Sequence, residues 1–245
     1  SVTATGNTHG AVTLLANGNI QFTPDHDYVG TASFAYTINA PAGGVSNSAT
    51  VTFTVEPPKA TLVVQPGGVF KADTFYDQLF NADSLSMTPD YLHLRYNGAD
   101  GQIGTSDDIN YRVRGTGLTW DSGDPDTPLT GGTITGIDIA NYLGQGNPIA
   151  RFNGLDIDAV DLMAAIELFD QDDYSGLNAL FGAHAYRIVG GNDNDILPNG
   201  FYNDTLTGGD GADTFRFNGG NDVITDFAIS GSHDAIDLSR SQIDD

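Results

Sequence analysis

The sequence predicts a mainly β chain in three parts: a small β-sandwich, a β-rich middle module with one or two helices, and a C-terminal parallel β-roll. Three observations carry this prediction. The 245 residues hold 32 acidic and 9 basic side chains, and all the acids except Glu56 and Glu167 are aspartate. Glutamate is the acid of helix surfaces, whereas aspartate belongs to turns and oxygen-lined cation sites. Apolar residues alternate with period two over residues 1–56, and a period of nine governs the chain from Gly190 onward. Glycine, with 31 residues, is about twice as frequent as usual.

In the first part, strands are expected over 11–15, 19–23, 33–38 and 49–55. Asn17-Gly18 predicts a two-residue hairpin turn with both central residues at positive φ, and Gly43-Gly44 marks another turn. Glu56-Pro57-Pro58-Lys59 lacks two backbone donors, which reads as a linker over 57–60. The expectation is a single sandwich lacking its first strand. The chain opens without Met, and no charged and apolar leader pattern follows Ser1, so it reads as a fragment of something longer.

The middle module, 61–187, shows strand-like runs at 61–64, 91–96, 111–114 and 133–139. Between two of them, residues 97–108 pack three glycines with Asp100, Asp107 and Asp108. Such a loop can wrap a hard cation or stand as a solvated hairpin loop, and it lacks the ligand spacing and closing Glu of an EF-hand. A second acidic loop, Asp121 to Asp126, reads as a turn. From 157 the period changes: Ile157, Val160, Leu162, Ala165 and Leu168 predict an amphipathic helix over 157–169, with Asp156 or Asp158 as N-cap. A shorter helix is expected over 175–181.

From Gly190 four nine-residue units follow without a gap. They begin at Gly190, Asn199, Gly208 and Phe217. Position six is Asp195, Asp204, Asp213 and Asp222, and position eight is Leu197, Leu206, Phe215 and Ile224. Agreement at eight positions in one register is not chance.

Two family resemblances follow from these residues. Asn17-Gly18-Asn19-Ile20-Gln21-Phe22-Thr23-Pro24-Asp25, with Asp27-Tyr28-Val29-Gly30 and Ser33-Phe34-Ala35-Tyr36-Thr37, resembles the cadherin-like repeat of large bacterial surface proteins. The resemblance implies an immunoglobulin-like spacer, often in tandem with neighbouring repeats of a longer chain. Asp25 and Asp27 then either reach a calcium at a domain junction or face water as turn residues. The nine-residue units resemble the G-G-x-G-x-D-x-U-x signature of RTX calcium-binding β-rolls. That resemblance implies glycine-rich turns with inward carbonyls, short strands, and loops 18 residues apart stacked on each other. One calcium is then expected between Asp195 and Asp213, and another between Asp204 and Asp222, each with about six oxygens. Gly191, Asp193, Gly200, Tyr202, Gly209, Gly211 and Gly220 would supply the loop positions around them. The third unit matches fully. Asp193, Asn199, Tyr202, Phe217 and Asn218 depart from the pattern. The segment from Asp222 to Ser239 resembles the closure of such rolls in secreted peptidases and adhesins, which implies bacterial type I export.

Composition excludes several functions. A formal net charge of −23 leaves nothing to neutralise phosphates, so neither nucleic acid nor an anionic membrane surface is a partner. No apolar run reaches the roughly 18 residues of a membrane span. With no cysteine there is no disulfide, thiolate metal site or Cys nucleophile. The histidines His9, His26, His93, His184 and His233 form no motif, and no G-x-S-x-G or P-loop occurs.

The sequence therefore reads as a secreted, non-catalytic, calcium-loaded piece of a surface protein serving adhesion or assembly, with a surface glycan or peptide as the possible ligand of the middle module. The alternatives are the accessory C-terminal region of a secreted hydrolase and a self-assembling matrix or S-layer-like component. Calcium is also expected to act as a folding switch. Two like charges about 4 Å apart repel by roughly 4 kcal/mol at an effective dielectric of 20. A glycine-rich repeat has little apolar surface to offset that on top of chain entropy of about 1–2 kcal/mol per residue.

Overall fold

The structure, a computed structural model, describes residues 2–25, 28–40, 42–105, 107–121, 129–141 and 149–239. It is mainly β, with 46% strand, several sheets and three helices. Asp27 and the acidic turn at Asp124 and Asp126 lie outside the described residues. The chain divides into two compact units, Ser1–Pro57 and Pro58–Asp245.

The first unit contains β1 (Val2–Thr8), β2 (Gly10–Leu14), β3 (Ile20–Pro24), β4 (Gly30–Ile38) and β5 (Ala49–Val55). A strand thus precedes the four expected ones. Two antiparallel sheets form, β1-β4-β5 and the hairpin β2-β3. Period-two alternation points Phe22, Phe34 and Phe53 at one another, with ring centroids 4.7–6.4 Å apart, while Ala32 and Phe34 are buried. The hairpin turn differs from expectation. Gly18 alone has positive φ, and its N–H bonds the Leu15 carbonyl while the Leu15 N–H bonds Asn19, so the loop holds three residues. A type I turn closed by a left-handed glycine suits this length.

The second unit is built on one nine-stranded sheet. Its strands are β6 (Lys59–Val64), β7 (Asp83–Thr88), β8 (Tyr91–Tyr96), β9 (Ile109–Trp120), β10 (Leu129–Asn141), β11 (Ala150–Asp158), β12 (Ala185–Val189), β14 (Thr205–Thr207) and β16 (Val223–Ile224). Their spatial order is β16-β14-β12-β6-β11-β10-β9-β8-β7. The half from β7 to β6 is antiparallel, and the half from β6 to β16 is parallel. A second sheet, β13 (Ile196–Leu197), β15 (Thr214–Arg216) and β17 (Ala235–Asp237), is wholly parallel. Strands from successive repeats thus enter different sheets, and alternate repeats pair.

One apolar row crosses the large sheet from edge to edge. Met87, Leu92, Val113, Ile137, Phe152, Leu62, Ile188, Leu206 and Ile224 stand in register on successive strands. The seven inner members are buried. The expected boundary at 187/188 therefore separates no compact units, because the repeats and the middle module share both sheet and core. The linker expected over 57–60 ends before Lys59, where β6 begins.

Three helices cover this core. α2 (Ala159–Phe169) starts two residues later than expected, because Ile157 still belongs to the inward phase of β11. Asp158 caps it, Oδ1 accepting from the Val160 N–H at 2.7 Å. α3 (Ser175–Gly182) buries Leu177 and Phe181, and the unanticipated α1 (Ala72–Phe80) buries Phe75 and Leu79.

Leu62→Ala should cost about 2–5 kcal/mol, since it opens a cavity at a fully buried position of a central strand. Hydrogen exchange should show amide protection of Ile188 and Leu206 falling together with that of Val113. Independent loss at the repeats alone would contradict a shared core.

Candidate metal centre

The repeats fold by a backbone rule. At positions one and two of the odd units stand Gly190-Gly191 and Gly208-Gly209. A Cβ at Gly190 or Gly209 would collide with a carbonyl of the neighbouring odd loop, and one at Gly220 with the Tyr202 carbonyl, so the loops stack backbone on backbone. Such contact leaves strand-leading N–H groups needing partners, and the position-six aspartates supply them. In one stack Asp195 Oδ1 accepts from Phe70 N (2.6 Å), Asp213 Oδ1 from Asp195 N (2.9 Å), and Asp234 Oδ1 from Asp213 N (3.0 Å). In the other, Asp204 Oδ1 accepts from Tyr186 N (2.6 Å) and Asp222 Oδ1 from Asp204 N (2.9 Å). Phe70 and Tyr186 thus act as the coil before the first repeat of each stack. Asn194 and Asn203 add parallel rungs, each Oδ1 accepting from the residue 18 positions later in the chain.

The second carboxylate oxygens have diverging fates. Asp195 Oδ2 accepts from Gly191 N and Asp204 Oδ2 from Gly200 N, closing each loop on itself at 2.7 and 2.6 Å. Asp222 Oδ2 accepts from Asn199 Nδ2 (2.6 Å). Loop three breaks the rule. The Gly208 and Gly209 N–H groups turn to Asp226, leaving Asp213 Oδ2 buried without a hydrogen-bond partner.

Electrostatics follow burial. Asp195, Asp204, Asp213 and Asp222 are all pushed above the ordinary carboxyl range, in each case first by desolvation, and Asp204 reaches about 6. Asp213 also feels Asp195, Asp234 and Asp226. The chain has only two lysines, and both serve the repeats. Lys59 Nζ donates to the Asn203 carbonyl at 2.7 Å, and Lys71 Nζ to the Asn194 carbonyl. These are position-five carbonyls of the first loop in each stack. Each ammonium stands where the acidic ladder begins, and it pulls down the carboxyls of Asp204 and Asp195 respectively.

The other residues expected to hold metal lie apart from the ladders. Asp193 is exposed, and its backbone abuts Gly211. Tyr202 is half-buried and presents its backbone to Gly220. In the separate loop, Asp107 Oδ1 (2.8 Å), Asp108 Oδ1 (3.1 Å), Asp100 Oδ1 (3.5 Å) and the Gln102 carbonyl (3.2 Å) surround the Thr105 hydroxyl. One hydroxyl proton serves one of these acceptors at a time. Backbone N–H groups of Ala99, Gly104 and Gln102 take further carboxylate oxygens there, and Asp108 is fully buried. Ser106 lies outside the described residues. Among the described residues no three acidic or imidazole side chains converge as a metal cage, so any ion would need backbone carbonyls.

Asp226 and Asp234, within the segment expected to close the roll, complete the ladders, a role the nine-residue period does not mark. The spacing from Asp213 to Asp234 is 21 residues rather than 18, because a longer loop precedes β17. Elsewhere, Arg114 pairs with Asp138 at 3.3 Å and Arg112 lies over the Tyr91 ring. His93 is held below its usual value by burial and by Arg112 and Arg95.

Two predictions follow from the ladder. A carboxyl with a raised folded value binds its proton more readily in the folded chain. The cation-free coils therefore gain stability as pH falls from about 6 toward 3.8, and lose it as pH rises through that window. His184 and His93, lowered mainly by burial, act in the opposite sense below 6.5. Carboxyl NMR in chelator should show Asp204 titrating near 6. Lys71→Met should destabilise the chelated protein by about 1–3 kcal/mol, because a carbonyl loses its donor and Asp195 its cation. Thermal melts check this.

Residues 1–57 match the bacterial cadherin-like domain family. That match suggests a surface or adhesin-type module and is compatible with an extracellular or surface location. No curated protein and no solved structure matches the chain. No helix among the described residues is long and apolar enough to cross a membrane.

Proposed function

We propose that this chain is a secreted, non-catalytic module of a bacterial surface protein whose repeats are RTX-type coils, forming a parallel β-roll that takes calcium. The first unit serves as an immunoglobulin-like spacer. One observation carries the calcium reading: Asp213 Oδ2, buried and lacking a donor, with Asp195, Asp226 and Asp234 in electrostatic range. A buried carboxylate oxygen without a partner is costly, and a hard divalent cation removes the cost by taking oxygen ligands. Asp213 would hold it through Oδ2, its remaining ligands coming from backbone carbonyls, since both Asp226 oxygens already accept from the Gly208 and Gly209 N–H groups. The pair Asp204 and Asp222 fits an ion less well, since all four of its carboxylate oxygens already accept from N–H donors. The loop at Asp100, Asp107 and Asp108 is a further candidate, because three carboxylates there share a single hydroxyl proton.

Calcium then couples compartment to folding. At cytosolic calcium the crowded carboxylates disfavour the coils, which suits type I export of an unfolded chain. Outside the cell, millimolar calcium stabilises the folded state by mass action.

Asp213→Asn separates the readings. It keeps the Oδ1 acceptor for Asp195 N but replaces the orphaned oxygen with an amide. In chelator the variant should melt at or above the parent temperature. In millimolar calcium it should lose most of the parent's calcium-induced rise. Hydrogen exchange over 190–227 should show protection gained with calcium in the parent, and equal protection with calcium and with chelator would sink the switch.

A further inference from the structure

The even-numbered repeat units depart from the glycine pattern, and their departures share one location. Where the odd units carry Gly-Gly, the even units carry Asn199-Gly200 and Phe217-Asn218, with Phe201 at position three. Asn199, Phe201, Phe217 and Asn218 all line a cavity of about 570 Å³ between these loops, α1 and α3. That size falls within the range of roughly 300–1,000 Å³ common for ligand sites. Its floor is aromatic and buried, formed by Phe75, Phe152, Phe181 and Tyr186. At the rim Tyr174 and Phe201 are 38% and 42% exposed, large aromatic rings left facing solvent. Phe201 is held there: its N–H donates to the Gly182 carbonyl at 2.9 Å, and its ring covers Gly182 so closely that no Cβ would fit.

The polar groups in the wall define what fits. Asn199 is 9% exposed, and its Nδ2 donates to Asp222 Oδ2, an acceptor only, which fixes the orientation of the amide. Its Oδ1 is buried behind the cavity surface, so the polar groups a ligand can reach lie elsewhere in the wall. Asn178 and Ser175 on α3 and Asn218 add neutral polar groups. The sole charged lining residue is Arg216, whose Nε lies 3.6 Å from Asp237 Oδ2. No carboxylate lines the cavity to receive a cation, and the net charge of −23 opposes an anion. A purely apolar ligand would strip water from the Asn178 and Asn218 amides without replacing its hydrogen bonds. We infer that this cavity binds a neutral saccharide, stacking its apolar face on Phe201 or Tyr174 and sharing hydroxyl hydrogen bonds with the Asn178 and Asn218 amides.

This deepens the surface-module reading by naming its ligand class, yet it stands apart from calcium. A glycan array carrying neutral and anionic oligosaccharides, probed with the full chain in calcium and in chelator, should show binding of neutral glycans. Calorimetry with the best glycan should then show Phe201→Ala weakening affinity about tenfold or more, while Phe201→Tyr retains it. Asn178→Ala, on the exposed face of α3, should also weaken binding without touching the coils. Absence of neutral glycan binding, preference for anionic glycans, or affinity unchanged in both alanine variants would overturn the inference. A calcium-induced rise in melting temperature without glycan binding would leave the calcium reading intact, and glycan binding without that rise would do the reverse.

Discussion

Everything in the second unit follows from a conflict at position six. A nine-residue coil with short strands stacks alternate loops backbone on backbone, so strand-leading N–H groups must find acceptors along the stacking direction. An aspartate in the next coil reaches them, as Asp213 reaches Asp195 N and Asp222 reaches Asp204 N. Each rung that satisfies a backbone donor adds a carboxylate to a column of carboxylates. Hydrogen bonding therefore requires what electrostatics opposes: burial raises all four carboxyls, and neighbouring carboxylates raise Asp195, Asp204 and Asp213 further.

The chain meets this conflict first at the inner end of each column. Lys59 begins β6 and Lys71 precedes α1, and both lie in the segment that lays the first coil onto the large sheet. The same segment aligns the apolar row, since Leu62 stands between Phe152 and Ile188. Apolar burial and charge compensation are thus delivered together, which ties the repeats to the middle module. A coil at the far edge has less of both: Ile224 is only half-buried, and Asp226 is exposed.

These couplings explain what the sequence discloses and what it conceals. Position eight and position six are legible because period nine repeats them, and burial of Leu197, Leu206 and Phe215 matches the pattern. α2 is legible from its period and cap. α1 is not, since Thr74, Phe75 and Tyr76 are weak helix formers and only two of its side chains are buried. The shared sheet leaves no local trace, because β6 and β12 pair across more than a hundred residues. The role of aspartate as a backbone acceptor is likewise invisible, because the same spacing is the one expected of a metal ligand. Asp234 escapes notice because a loop insertion shifts it out of the period.

The two edges of the coil have diverged for a physical reason. On the odd edge, glycine at positions one and two brings loops into contact, and Asp213 sits among three other carboxylates with an oxygen unused. On the even edge, Asn199 Nδ2 donates to Asp222 Oδ2, so that oxygen already has a neutral side-chain donor. Once that donor comes from a side chain, the loop can abandon Gly-Gly stacking, and Phe201, Phe217 and Asn218 are free to face the helices. Asn199, which gives Asp222 that donor, also lines the aromatic cavity beside Phe201, Phe217 and Asn218, so the loops that satisfy a carboxylate with a side-chain amide are the loops that build the cavity wall.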